Sequence, residues 1–227
     1  MNLIIINCSP RTKKNSNTNL IVHAFAEGYT KHGNTAQIYN LSEIGKWEDI
    51  RNCFYNNDNI LMALPLFVEC IPGLMIEFLE TLSPKVIMEG HPKTKLSFLL
   101  QGGFSEASQL RCGEDYLKQL PTFLNCEYGG TLIKGGMFIT HMLPESSAQK
   151  MVFPFAEMGE VFAKEGLFER EKVNQFAGPE FLSKRNVFFH ALLKPLNKLF
   201  FILFFKKKGC QGSLAARPYQ KLINSNR

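Results

Sequence analysis

No apolar stretch of the chain approaches the roughly 18 residues that a membrane-spanning helix needs. Residues 2–7 are too few for the apolar region of a secretory leader, and no small-residue cleavage site follows, so no leader is expected. None of the six cysteines forms a CxxC pair, and no His or Cys stands at metal-ligand spacing. Structural zinc and iron–sulfur sites are thereby disfavoured, no metal is expected, and the thiols read as reduced in a cytoplasmic protein. Neither GxGxxG nor GxxxxGK is present, which removes support for dinucleotide and Walker-type phosphate loops. Acidic residues are missing from the whole stretch beyond Glu180.

That last absence divides the chain. Residues 181–227 hold ten Lys and Arg and no acid, whereas the remainder sets 20 acidic residues against 16 basic ones. The net charge of +6 therefore describes a body of −4 carrying a tail of +10. A hydrophobic fraction of 45% in 227 residues is enough for one generous domain with a packed core and an appendage. The expected division is 1–170 for the domain and 171–227 for a basic, apolar helical extension.

What is there alternates between two periods. LIIIN (3–7) is an unalternating β-branched run, as in a strand buried on both faces. Residues 17–33 carry Leu20, Ile21, Ala24, Phe25 and Gly28 at helical spacing. Further strands are expected at 35–41, 58–67, 95–104 and 128–134, with helices near 46–56, 72–82, 105–124 and 145–165. Such β-α alternation predicts an α/β fold, a parallel sheet with helices on both faces. Ligands in such sheets sit beyond the carboxyl ends of the strands, at the topological switch point.

Three strand ends carry unusual residues. After the first strand comes SPRTKKNSNTNL (9–20). A helix N-cap requires one hydroxyl or amide; this stretch supplies Ser9, Ser16, Asn17 and Thr18 together with Arg11. Hydroxyl and amide donors beside the free N–H groups of a first helical turn suit a phosphate monoester, with the helix dipole favouring the dianion. After the third strand, Pro65-Leu66-Phe67-Val68-Glu69-Cys70-Ile71-Pro72 is a stiff loop whose backbone and Phe67 can border a flat heterocycle, or form a plain apolar turn. After the fourth, Gln101-Gly102-Gly103-Phe104 allows close backbone approach and stacking, or a tight turn. All three fall at the ends of consecutive strands.

The motifs SPRTKKNSNT and LPLFVECIPGLMIEFLE resemble those of the NAD(P)H-dependent FMN reductases and the iron–sulfur-flavoprotein-like branch of the flavodoxin superfamily, over about residues 1–165. The resemblance implies a flavodoxin-like three-layer sandwich with a five-stranded parallel sheet in the order 2-1-3-4-5. It also implies FMN as cofactor, NAD(P)H as electron donor and a small-molecule acceptor such as a flavin or quinone. Ser9, Arg11, Ser16, Asn17 and Thr18 would hold the FMN phosphate. Pro65, Leu66, Phe67 and Val68 would border one side of the isoalloxazine, and Gln101, Gly102, Gly103 and Phe104 the other. Three departures stand out: Leu66 and Phe67 where an aromatic pair is commoner in the family, Glu77 where it tends to carry Lys, and the absence of a cysteine cluster. No catalytic side chain is nominated, because hydride chemistry belongs to the flavin. His141, after the last strand, is a substrate-side residue or an ordinary loop histidine. A flavin-binding electron carrier without NAD(P)H turnover is the rival function. A membrane-surface adaptor without a cofactor is a third.

The stretch NVFFHALLKPLNKLFFILFFKKK (186–208) places Asn186, His190, Lys194 and Lys198 on one narrow polar stripe and is otherwise almost wholly apolar to Phe205. Its apolar surface is buried on its own domain, in a homodimer of the kind common in that family, or at a membrane surface. Nucleic acid is not an expected partner, since the basic residues come without the aromatic–glycine motifs of nucleic-acid binders.

Overall fold

The computed structural model describes residues 1–12, 15–87, 90–207 and 209–210, excepting the side chains of 189 and 190. Lys13 and Lys14 of the first loop, the His190 side chain of the polar stripe, and Lys208 with most of the chain after it lie outside the described residues.

Chain order alternates as the periodicities require. Strand β1 is Asn2–Asn7, helix α1 Asn17–Thr30, β2 Thr35–Asn40, α2 Trp47–Asn56 and β3 Asn59–Pro65. Next come α3 (Gly73–Glu80), β4 (Lys95–Gln101), α4 (Ser108–Phe123), β5 (Glu127–Lys134) and α5 (Glu145–Glu165). The five strands form one parallel sheet in the order β2-β1-β3-β4-β5, the order expected from the resemblance. Strands β1, β3 and β4 lie inside and are buried along almost their full length, which is why their sequences do not alternate. The edge strand β2 alternates instead.

Right-handed crossovers put α1 on one face and α2, α3 and α4 on the other, because the chain reverses direction across the sheet after β2. Helix α5 packs on α1 through two glycines. A Cβ at Gly28 would lie 1.8 Å from the Ala156 carbonyl oxygen, and one at Gly159 would lie 2.2 Å from that of Phe25. No other residue fits this backbone-to-backbone crossing. Phe25, Phe162 and Phe168 cluster beside it with ring centroids 4.6–5.9 Å apart. Helix α5 ends at Gly166 in the left-handed region, its N–H donating to the Phe162 carbonyl at 2.8 Å.

A further helix of the body follows where the domain was expected to end. Helix α6 (Arg170–Ala177) buries Val173 and Ala177 in the core. It lies along β5, and Lys134 donates from its Nζ to the Phe176 carbonyl at 2.6 Å. The compact unit accordingly runs through Phe181 rather than ending at 170. A second unit begins at Leu182 and contains α7 (Lys184–Leu192) and α8 (Lys194–Lys207). No helix among the described residues is long and apolar enough to cross a membrane.

Candidate functional site

Four strand ends converge at the carboxyl edge of the sheet, around the point where β1 and β3 send the chain in opposite directions. The loop after β1 is folded on itself by short polar bonds. Ser9 N–H donates to Asn7 Oδ1 at 3.1 Å, and Arg11 N–H donates to Ser9 Oγ at 3.3 Å. Ser16 is the N-cap of α1, its Oγ accepting from Asn19 N–H at 3.2 Å. Thr18 Oγ1 accepts from Gln101 Nε2 at 3.4 Å, which ties the helix start to the end of β4.

These bonds share a chemical consequence. Ser9, Ser16 and Thr18 are all buried, and in each bond the hydroxyl oxygen is the acceptor. Each hydroxyl therefore keeps its hydrogen to donate, and among the described residues none of the three is seen giving it to a protein acceptor. Ser16 and Thr18 at the N-terminus of the 14-residue α1, with Ser9 in the loop before it, make a donor set of the kind that suits an anion. Arg11 stands exposed at the same loop.

Asn17 has a different position from the one its motif implies. Its Nδ2 donates to the Met137 carbonyl at 2.6 Å and to that of Phe138 at 3.4 Å. Its Oδ1 accepts from the His141 backbone N–H at 2.8 Å and lies 2.9 Å from His141 Nδ1. An amide oxygen can only accept, so Nδ1 carries the imidazole hydrogen in this contact. The Asn17 side chain thus clasps the segment after β5 to the phosphate-type loop. That segment, Met137–His141, was missed by sequence reasoning except for His141. The signal lay in Gly135-Gly136, a second glycine pair, at a fourth strand end.

Pro65 and Leu66 are buried, whereas Phe67 is half exposed and Val68 is 92% exposed. Phe67 and Cys70 pair across a tight turn, with N–H to carbonyl distances of 2.9 and 3.0 Å in the two directions. Val68 and Glu69 fill its two central positions with φ of 48° and 65°. Positive φ at both positions is a type I′ turn, normally built from Asn and Gly. A β-branched residue there is strained by about 1–3 kcal/mol. Replacement of Val68 and Glu69 by Asn and Gly is expected to raise the free energy of unfolding by about 1 kcal/mol in a urea titration. The strain thus sits at the exposed tip of a loop that borders the candidate site.

The paired glycines after β4 differ in what they approach. A Cβ at Gly102 would lie 2.7 Å from Leu110 Cδ2, so the space there belongs to α4. Gly103 would make only an ordinary contact, 3.5 Å from Phe138 Cβ, and keeps the open approach expected of it. Gly135 passes so close to the 104–105 backbone that its Cβ would fall 2.2 Å from the Phe104 carbonyl oxygen. The loops after β4 and β5 are thereby stacked on one another, joined by Met137 N–H to Gly102 carbonyl at 2.9 Å and Gly136 N–H to Phe104 carbonyl at 2.7 Å. Phe104 is 69% exposed, and Phe138 and Ile139 are also exposed. With Phe67 they supply aromatic and aliphatic surface at the candidate site. Cys8 is wholly buried beside the loop, and burial pushes its thiol far above the usual cysteine range, which leaves it inert as a nucleophile. No group of three or more metal-ligating side chains occurs among the described residues.

No protein-family model matches this chain, and no curated protein matches it in sequence. Solved structures do resemble it. An FMN-dependent NADH-azoreductase from Bacillus anthracis, in complex with FMN, superposes with a TM-score of 0.52 at 15% identity, over 72% of this chain and 100% of that one. The fold is flavodoxin-like. An NAD(P)H:quinone oxidoreductase from Methanothermobacter marburgensis gives a TM-score of 0.51 at 14% identity, over 70% of this chain and 96% of that one. General stress protein 14 from Treponema denticola, in complex with FMN, gives 0.51 at 11% identity, over 72% and 98%. In flavodoxin-like sheets of this order, the switch point between β1 and β3 is the ligand crevice, and it is there that the four loops of this chain meet.

Proposed function

We propose that the chain is an FMN-dependent oxidoreductase that takes electrons from NADH or NADPH and passes them to a flavin, a quinone or another small acceptor. One observation carries this reading: the three buried hydroxyls of Ser9, Ser16 and Thr18 each accept a protein hydrogen bond and keep a hydrogen to donate, at a helix N-terminus on the switch point. That donor set suits the dianionic phosphate of FMN. Ser9, Ser16 and Thr18, with Arg11, hold the phosphate. Asn17 acts beside them by fixing the 137–141 segment to the same helix start.

Pro65, Leu66, Phe67 and Val68 border one side of the isoalloxazine, and Gln101, Gly102, Gly103 and Phe104 the other. Gln101 does so from a buried position tied to Thr18. The bound flavin supplies hydride acceptance and onward electron transfer. The protein's work is to orient the ring, exclude water from one face and leave the other open, which requires no acid–base side chain. The azoreductase and quinone oxidoreductase of like fold use nicotinamide nucleotides by name, and we extend that use to this chain. Phe67, Phe104, Phe138 and Ile139 form an exposed apolar rim, consistent with a homodimer. Six free cysteines fit a reducing cytoplasm.

The test is anaerobic. Protein loaded with FMN and desalted is mixed with NADH or NADPH, and the visible flavin band is followed. Rapid bleaching, restored by a quinone, is expected. A flavin that stays oxidised with both nucleotides would leave the chain an electron carrier instead.

A further inference from the structure

The second unit carries an interaction surface that the flavin site does not use. Helix α8 (Lys194–Lys207) holds four phenylalanines and three leucines in 14 residues, and none of its residues is buried. Phe200 stacks on Phe204 and Phe201 on Phe205, each pair 6.2 Å between centroids. At 3.6 residues per turn, Leu196, Phe200, Leu203 and Phe204 fall within a sector of about 100°. Lys194, Lys198 and Lys206 fall within about 120° on the opposite side, interleaved with Ile202 and Phe205, while Lys207 falls under the apolar sector at the end of the helix.

Length decides against a span. Fourteen residues rise about 21 Å, short of the roughly 30 Å hydrocarbon core. The helix can lie in an interface but not cross it. Charge decides the kind of interface. Residues 181–227 contain ten basic residues and no acidic one, and Lys206 and Lys207 close the apolar stretch. A surface that covers phenylalanine and leucine along the middle of the helix while neutralising lysines near both of its ends is the headgroup layer of an anionic bilayer, where long lysine side chains reach outward to the phosphates. A second copy of this segment would bring like charges together.

We propose that Lys194–Lys207 docks lengthwise in the headgroup region of an anionic membrane and holds the chain at the bilayer surface. Its phenylalanines and leucines enter the acyl boundary, and its lysines meet lipid phosphates. The inference stands independently of the flavin reading.

Full-length protein is tested by flotation with phosphatidylglycerol–phosphatidylcholine vesicles and with pure phosphatidylcholine vesicles, at low and high salt. Binding to the anionic vesicles only, weakened by salt, is expected. Lys206→Gln/Lys207→Gln keeps the apolar helix and is expected to lower the partition coefficient about thirtyfold, from roughly fivefold per lysine. Phe200→Ser/Phe204→Ser is expected to lower it by about a hundredfold or more. Unchanged thermal unfolding of the body in both variants keeps these losses assignable to α8. Equal binding to neutral vesicles, or no vesicle binding, overturns the proposal. So does a phenylalanine variant whose only change is a shift from dimer to monomer on gel filtration, which would assign the helix to a second copy.

Discussion

Asn17→Ala is expected to lower the stability of the protein by about 1–2 kcal/mol and its affinity for FMN by about tenfold to a hundredfold. The stability loss follows from what the side chain satisfies. Its removal takes one donor from the Met137 carbonyl, which keeps those of the Thr140 N–H and Oγ1, and leaves the half-buried His141 N–H without its 2.8 Å acceptor. Asn17 is itself buried, and a buried polar group left unpaired costs roughly 1–3 kcal/mol. The affinity loss follows from position. Residue 17 begins α1 directly after the Ser16 cap and directly before Thr18, so release of the 137–141 segment loosens the helix start that carries the phosphate donors. Loss of one hydrogen bond to a charged phosphate, about 1.5–3 kcal/mol, is a tenfold to hundredfold effect. Urea unfolding and flavin fluorescence titration measure the two numbers. If Asn17 instead touched the phosphate and clasped nothing, affinity would fall while stability stayed put.

Gly159→Ala is expected to cost about 2–3 kcal/mol, with a sign that discriminates. In a helix interior free of neighbours, Ala for Gly stabilises by about 1 kcal/mol. Here the new Cβ would lie 2.2 Å from the Phe25 carbonyl oxygen and 2.9 Å from the Tyr29 nitrogen. Both are backbone atoms of α1, so the helices themselves must part, and overpacking of this kind typically costs 1–3 kcal/mol beyond the propensity gain. The loss also reaches the candidate site, because α1 carries the proposed phosphate donors Ser16 and Thr18 at its start. A thermal melt decides: a raised midpoint would mean that α1 and α5 do not cross at these glycines.

How legible all this was in the sequence varied with the range of the interactions involved. The inner strands announced themselves, since burial on both faces of β1, β3 and β4 forces unbroken apolar runs such as Leu3–Ile6 and Ile60–Leu64. Helix α6 did not, because its register is set by packing on the edge strand β5. With only Val173 and Ala177 buried, eight residues carry little periodic signal. The phosphate-type loop was readable as a cluster of hydroxyls. What could not be read was the division of labour within it: Asn17 turns 120 or more positions along the chain to reach Met137 and His141, a contact that no local pattern encodes. The glycines mislead for a similar reason. Gly102 also makes room for Leu110 of α4, a packing role that the glycine pair does not announce. Val68 and Glu69 broke the local rule outright, since neither residue type predicts a type I′ turn.

The claim on which the account rests is that the four strand-end loops hold FMN by its phosphate. The most direct measurement is the visible absorbance of the purified chain after saturation with FMN and desalting, compared with riboflavin and with a Ser16→Ala/Thr18→Ala variant. The account predicts that the wild type retains FMN stoichiometrically, retains riboflavin poorly, and loses most of its FMN in the double variant, whose fold survives the loss of one cap at about 1 kcal/mol. A colourless wild type, or equal retention of FMN and riboflavin, would contradict it.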